Sequence, residues 1–256
     1  MTFDGPSLSP LVGATQYHEI SESTHRIMNP FSSEKVRLLG EICHLGPDTR
    51  VLDLACGKGE MLCMFASERG AHGLGVDRYP AFVAAARARA AEFGIAEAVT
   101  FVEGDAGDPP SEERPFEIVS CLGASWIGGG LAGTLSLMRH RVTPGGWLLV
   151  GEVYWAEAPP DVIRRKRASP DEFTDLAGTL DRFEAAGTDL VEMVLASHDD
   201  WDRYSGSQWL NVGNWLMANP DHPDAAEIAR LRDDSRRDYL AYERRCLGWG
   251  VFVLRA

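Results

Sequence analysis

The stretch that most constrains the fold runs from Arg50 to Glu60 and reads Arg-Val-Leu-Asp-Leu-Ala-Cys-Gly-Lys-Gly-Glu. Its apolar start predicts a buried strand, and the apolar spacing of the residues that follow it predicts an amphipathic helix. Between the two, Gly57 and Gly59 form a loop without bulky side chains, so backbone N–H groups can approach a ligand at the helix N-terminus. The strand, loop and helix together predict a binding site for a nucleotide-like cofactor.

The spacing inside this loop distinguishes two classes of cofactor. A dinucleotide fingerprint, Gly-x-Gly-x-x-Gly, needs a third glycine where this chain has Leu62. The sequence from Asp53 through Ala55 to Gly57 and Gly59 instead resembles the first motif of class I S-adenosylmethionine (SAM) methyltransferases, although many members have glycine in place of Ala55. The resemblance implies that the acid lies near the cofactor's methionine ammonium and that the small residues admit the cofactor to the backbone. A glycine turn with a purely structural role is the alternative.

Two further acids follow the next predicted strands. The second strand ends in Asp77, where a carboxylate can accept hydrogen bonds from a ribose of either cofactor class. The third strand is followed by Asp105 and Ala106, and the resemblance implies that these contact the adenine amino group and the adenine ring. The predicted cofactor site also includes Arg78 and Leu122, which follow the second and fourth strands.

The remaining pattern predicts one α/β domain over residues 1–256, built on a Rossmann-like seven-stranded methyltransferase sheet. We expect the sheet to be mostly parallel with an antiparallel last strand, helices on both faces, and a helical insertion before the last strand. The turn Pro144-Gly145-Gly146 before the fifth strand matches the same family. The expected parts are an N-terminal lid and helix (1–45), a SAM-binding core (46–198), a substrate-cap insertion (199–247) and the last strand (248–256).

Composition narrows the possible partners and compartment. The formal net charge is −13, which disfavours binding to nucleic acid or to an anionic membrane surface. We expect no membrane span and no signal peptide, since the first residues lack the basic and apolar regions of one. The five cysteines form no Cys-x-x-Cys pair, so we predict free thiols in a reducing cytoplasm and no metal site.

Several short segments outside the cofactor motifs are similar to a subgroup, the bacterial methyltransferases of the YjhP type. The resemblance implies a small-molecule methyl acceptor and leaves the acceptor itself and the oligomeric state open. The matching segments are residues 21–31, 123–127, 151–155, 201–204 and 248–252. The alternatives are a nicotinamide-dependent oxidoreductase on a similar sheet and a protein that binds SAM without catalysis.

The substrate side offers fewer signals. A general base is needed only when the methyl acceptor carries a proton, and the candidates are His25, Glu152 and Tyr154. Capping or packing explains each of them equally well, so no catalytic residue is assigned. Aromatic residues that could enclose a flat or cationic substrate, or simply pack the insertion, are Trp126, Trp155, Trp201 and Tyr204.

Two segments have no clear place in the sheet. The lead-in from Tyr17 to Met28 and the insertion are expected to meet over the ends of the first, fourth and fifth strands, closing one pocket above the cofactor. The basic run at residues 164–167 is expected to be a solvated surface, with binding of an anionic substrate as the alternative.

Overall fold

The computed structural model describes residues 12–166 and 173–256. The strands are β1 (Arg50–Leu54), β2 (His72–Asp77), β3 (Val99–Glu103), β4 (Phe116–Leu122), β5 (Val142–Trp155), β6 (Asp189–Leu195) and β7 (Leu247–Arg255). They form one seven-stranded sheet in the order β3-β2-β1-β4-β5-β7-β6. The neighbours from β3 to β5 are parallel, and β7 is antiparallel to both β5 and β6. The predicted fold class is confirmed.

The helices cover both faces of this sheet. They are α1 (Val12–Ser21), α2 (Ser33–Ile42), α3 (Glu60–Arg69), α4 (Pro80–Glu92), α5 (Leu131–Arg139), α6 (Asp161–Lys166), α7 (Leu176–Ala185), α8 (His198–Ala218), α9 (Ala225–Asp238) and α10 (Arg244–Cys246). On one face, Leu39 of α2 and Phe65 of α3 are buried against the sheet. On the other face, Leu135 of α5 and Phe183 of α7 are buried against it.

The lead-in contains more regular structure than its sequence indicates. Its residues show no clear period, yet the structure forms α1 there, and Ile20 packs with Val212 of α8 and Ile228 of α9. Tertiary packing therefore stabilises a helix that local sequence leaves unspecified. We call α1, α8 and α9 the helical cap.

Two other elements differ from the sequence prediction. The Pro-Gly-Gly sequence lies inside β5 rather than before it, and the pairing register with β4 is irregular between Phe116 and Ile118. The sequence of the insertion predicts two helices, around 201–218 and 225–246, but the second helix ends at Asp238, and a π-helical turn (Tyr239–Glu243) and α10 follow it. The turn widens the helix just before the chain enters β7.

Some predictions fall partly outside the described residues. The structure does not describe the side chains of the basic run at 164–167. Residues 1–11 of the predicted N-terminal lid also lie outside the described residues. Within the described ranges, no helix combines the length and apolar character needed to cross a membrane.

Candidate functional site

The loop between β1 and α3 adopts an unusual backbone conformation. Ala55, Gly57 and Gly59 all have left-handed φ values, of 56°, 54° and 70°. A Cβ atom at Gly59 would lie 2.6 Å from Phe101 Cζ and 2.8 Å from Ala86 Cβ, so only glycine fits there. The left-handed φ of Ala55 also explains why glycine suits that position in related motifs.

The acid at the end of β2 holds this loop in place. Asp77 is buried, and its carboxylate accepts hydrogen bonds from the backbone N–H of Gly57 at 2.8 Å and of Tyr79 at 2.9 Å. Burial raises the pKa of Asp77, and the two N–H groups oppose that shift. Asp77 therefore holds the glycine loop in place. The same carboxylate is the one that the sequence predicts to bind a ribose.

Asp53 is the most deeply buried of the predicted acids. It is 4% exposed, lies beside Ser120 of β4 in the sheet register, and accepts a 2.7 Å hydrogen bond from the Ser120 hydroxyl. Burial raises the pKa of Asp53 to about 7, the Ser120 hydrogen bond opposes the shift, and the charge of Asp77 adds to it. A nearby cation would lower this pKa again, so the position favours a positively charged ligand group.

The remaining predicted cofactor residues line the same edge of the sheet. Asp105 is exposed after β3 and accepts a 2.8 Å hydrogen bond from the N–H of Gly107, whereas Ala106 is buried. Arg78 is exposed, and its guanidinium carbon lies 5.6 Å from the centroid of the Tyr79 ring. Because parallel strands end at a common edge, these residues and the glycine loop lie together at that edge of the sheet.

Residues 22–29, which we call the bridging segment, lie against this edge of the sheet. The Lys58 ammonium, inside the glycine loop, donates to the backbone carbonyl of Glu22 at 2.6 Å. At the other end, the Asn29 amide donates to the carbonyl of Leu122 at 3.4 Å. The bridging segment therefore spans from the cofactor loop to the end of β4.

The helical cap holds the bridging segment from its other side. The Tyr204 hydroxyl donates to the Glu22 carboxylate at 2.8 Å, and the Gln208 amide donates to the same oxygen at 2.7 Å. The Asn211 amide donates to the backbone carbonyl of Ser21 at 2.8 Å. The contact that we expected between the lead-in and the insertion is thus present, and it combines these hydrogen bonds with the apolar packing of Ile20 against Val212 and Ile228.

Of the three candidate bases, His25 lies in the bridging segment. Its Nδ1 is 2.7 Å from Glu22 Oε2, and its ring stacks on Tyr204 with centroids 4.7 Å apart. Its Nε2 is buried and has no hydrogen-bond partner among the described residues. Burial raises the pKa of Glu22, but hydrogen bonds from His25 and Gln208 outweigh burial and lower it overall. Burial and the adjacent Glu22 hold the pKa of Tyr204 well above its ordinary value.

The other two candidate bases lie on β5. Tyr154 is buried in the core, where its ring meets Phe252 edge-on at 6.5 Å between centroids, and burial raises its pKa. Glu152 is also buried and pairs in register with Gly250 of β7. The surroundings of Tyr154 favour a packing role.

The four aromatic candidates occupy different surroundings. Trp201 meets Tyr204 edge-on at 6.5 Å between ring centroids, and both residues belong to α8 of the helical cap. Trp155 packs instead against Phe173 at 5.7 Å. Trp126 is 41% exposed after β4.

Three residues of the site escaped the sequence analysis: Glu22, Lys58 and Gln208. Glu22 precedes His25 by one helical turn, and this Glu-x-x-His spacing was the available signal. Lys58 occupies a variable position of the glycine motif, and Gln208 comes from a distant helix, so neither carries a local signal.

The residues present fit a SAM-like cofactor. The left-handed loop leads into α3 without bulky side chains, and carboxylates lie at or just after the ends of β2 and β3, where hydroxyl and amino groups would need acceptors. Within residues 12–166 and 173–256, no group of three or more His, Cys, Asp or Glu side chains could hold a metal ion.

Comparisons with known proteins agree with this geometry. A family described as a methyltransferase domain matches residues 51–146. The Escherichia coli K12 protein YjhP is 42% identical over 240 residues, which cover 93% of this chain and 96% of that protein. A SAM-dependent methyltransferase from Geobacter sulfurreducens, crystallised with S-adenosyl-L-homocysteine, is 44% identical with a TM-score of 0.88, covering 93% of this chain and 97% of that one. A corresponding complex from Thiobacillus denitrificans is 40% identical with a TM-score of 0.88, at the same coverage.

Proposed function

Because the chain belongs to the SAM-dependent methyltransferases of the YjhP type, we propose that it transfers the methyl group of SAM to a small-molecule acceptor. The observation that carries this proposal is the bridging segment, which joins the helical cap to the glycine loop above the cofactor residues. A covered site suits an acceptor small enough to enter it and suits a large folded partner poorly.

Bound SAM supplies an electrophilic methyl carbon on a sulfonium sulfur. Asp53 would face the methionine ammonium, Asp77 the ribose, and Asp105 with Ala106 the adenine. The glycine loop would hold the methionine end through its backbone. Positioning and exclusion of water then account for most of the rate enhancement, since methyl transfer requires the acceptor atom, methyl carbon and sulfur in line.

The net charge supports the proposed class of acceptor, and the free cysteines support the proposed compartment. The net charge of −13 repels nucleic acid phosphates, which favours small acceptors over DNA or RNA. All five cysteines are free, which favours the reducing cytoplasm as the place of work.

The test uses methyl-labelled SAM and an extract of the source cells as the supply of acceptors. After incubation with the purified protein, the extract is separated into small molecules, protein and nucleic acid. We expect the label in the small-molecule fraction. Label confined to protein or nucleic acid would refute the small-molecule acceptor, and absence of transferred label would refute catalysis.

A pair of glycine variants makes this test specific to the cofactor loop. Gly57→Ala adds a Cβ at a residue with φ 54°, and this Cβ lies 3.0 Å from Met28 Sδ, on the side of the loop that faces the bridging segment. Gly94→Ala imposes a similar strain at φ 68° with no atom within 4 Å. We expect Gly57→Ala to weaken S-adenosylhomocysteine binding by about tenfold, or about 1.4 kcal/mol, and Gly94→Ala to leave it unchanged. Calorimetric titration measures both.

A further inference from the structure

The bridging segment contains a carboxylate and an imidazole, and the hydrogen bond between them determines which imidazole nitrogen carries the proton. Glu22 is 1% exposed, and its Oε1 accepts hydrogen bonds from Tyr204 and Gln208. Its Oε2 lies 2.7 Å from His25 Nδ1. Because an ionised carboxylate only accepts hydrogen bonds, Nδ1 must carry the proton of the neutral ring. The lone pair of that ring is therefore on Nε2.

The hydrogen bond from Nδ1 to Glu22 and the stack on Tyr204 hold the ring in this orientation. The ring stacks on Tyr204 with an angle of 20° between the planes. Nε2 is buried without a hydrogen-bond partner in the described part of the chain. A buried acceptor without a donor is unfavourable, so this position would gain from a ligand that presents an O–H or S–H group.

The Glu22–His25 pair also lies beside the predicted cofactor site. Lys58 of the cofactor loop donates to the carbonyl of Glu22, and Asn29 reaches the end of β4. His25 is between these two anchors, on the segment that lies against the edge of the sheet where the cofactor is predicted to bind. The other two candidate bases, Glu152 and Tyr154, belong to β5 rather than to the bridging segment.

Given the proposed methyl transfer, on which this inference rests, we propose that His25 is the general base and Glu22 its positioning residue. The acceptor is then a hydroxyl or thiol compound. Its oxygen or sulfur forms a bond to the methyl carbon, and the methyl–sulfonium bond breaks with its electron pair left on sulfur. The proton of the acceptor passes to Nε2, and Glu22 stabilises the resulting imidazolium.

The groups around the pair determine its response to pH. Glu22 supplies a negative charge, Tyr204 and Gln208 of α8 are neutral donors, and the Lys58 ammonium and His18 of α1 are the neighbouring cationic or titratable groups. Protonation of Nε2 removes the lone pair. Transfer to a hydroxyl or thiol should therefore decline as the pH falls, while binding of S-adenosylhomocysteine should persist.

The test compares His25→Asn, Glu22→Gln and the matched control His140→Asn. Asparagine at position 25 can still donate to Glu22 but lacks Nε2, and His140 is an exposed histidine at the end of α5. With labelled SAM and cell extract, we expect His25→Asn to lower transfer by about 100-fold or more. His140→Asn should have no effect, and calorimetric affinity for S-adenosylhomocysteine should be kept in all three variants.

A second readout does not depend on turnover. In protein labelled with ¹⁵N-histidine, NMR should show His25 protonated on Nδ1 in the wild type, and Glu22→Gln should abolish that tautomer preference. The labelled product should be an O-methyl or S-methyl compound. Undiminished transfer by His25→Asn, a proton on Nε2 in the wild type, or a carbon-methylated product would each overturn the proposal. A wild type that transfers no label would overturn the proposed function as well, whereas an active His25→Asn variant would overturn only the role of the pair.

Discussion

The sheet and the helical cap are stabilised in different ways. The sheet is buried between two apolar clusters, and Val51, Ile118, Leu149 and Val253 among others are fully buried. The helical cap has a small apolar cluster, and its contacts with the bridging segment bury polar side chains such as Glu22. Apolar burial contributes large free energies, whereas hydrogen bonds exchanged with water contribute modest ones. The difference indicates that the sheet, which we call the floor, is rigid. The helical cap and the bridging segment, which together we call the cover, open more easily.

The largest expected effect comes from truncating one fully buried side chain in the sheet and one in the helical cap, and comparing the loss of stability. Leu149→Ala in β5 should lower the global free energy of unfolding by about 4 kcal/mol, because it removes a fully buried side chain from the sheet. Ile228→Ala truncates a fully buried residue of α9, but should mainly promote local opening of the helical cap. Urea denaturation reports the global change, and hydrogen exchange reports local opening. An equal global loss in both variants would mean that floor and cover unfold as one unit.

The second prediction concerns the charge that the sheet buries. The folded-state pKa of Asp53 is raised from 3.8 to about 7, so between these values the folded protein retains a proton that the unfolded chain releases. Stability should therefore decrease as pH rises from about 4 to about 7, by about 3 kcal/mol for this group. Asp53→Asn lacks this titration and should be more stable than wild type at pH 8, with the advantage vanishing near pH 4.

Urea denaturation of both proteins across this pH range measures the difference. Asparagine can still accept the Ser120 hydrogen bond, so the comparison isolates the charge. Parallel stability curves for wild type and variant would show that burial of the ionised Asp53 does not destabilise the folded protein.

The smallest expected effect tests the cover itself. With S-adenosylhomocysteine bound, hydrogen exchange should slow by about tenfold, or about 1.4 kcal/mol, in residues 16–29 as well as in the glycine loop. The reason is that Lys58 and Asn29 connect the bridging segment to the cofactor residues. Protection confined to the glycine loop would show that the lead-in does not act as a lid, and the strands provide the internal control.

Sequence predicted the floor better than the cover because the floor is specified by local patterns. The apolar run of β1, the left-handed glycines and the acid at the end of β2 lie within one β-α-β unit, and each has a direct physical reason. The mostly parallel sheet followed from the same alternation, and its antiparallel last strand followed from the family resemblance.

The cover depends on contacts between residues far apart in the chain. Tyr204 and Gln208 hold the Glu22 carboxylate by hydrogen bonds. Because both residues are far from Glu22 in the chain, no local sequence pattern reveals the contact. The helix α1 forms because Ile20 has partners in α8 and α9. The π-helical turn at Tyr239–Glu243 likewise interrupts a region whose sequence reads as one continuous helix.

The way the chain connects β6 to β7 affects how the enzyme could change over evolution. The two strands are antiparallel neighbours that a short turn could join, yet about 50 residues containing α8 and α9 lie between them. Closing a loop of that length in place of a four-residue turn costs only about 2 kcal/mol of chain entropy, because the cost grows with the logarithm of length. The insertion can therefore be shortened, extended or exchanged at little expense to the sheet. New acceptors can be acquired by altering one connection, while the methyl donor continues to be held by a part of the chain that stays the same.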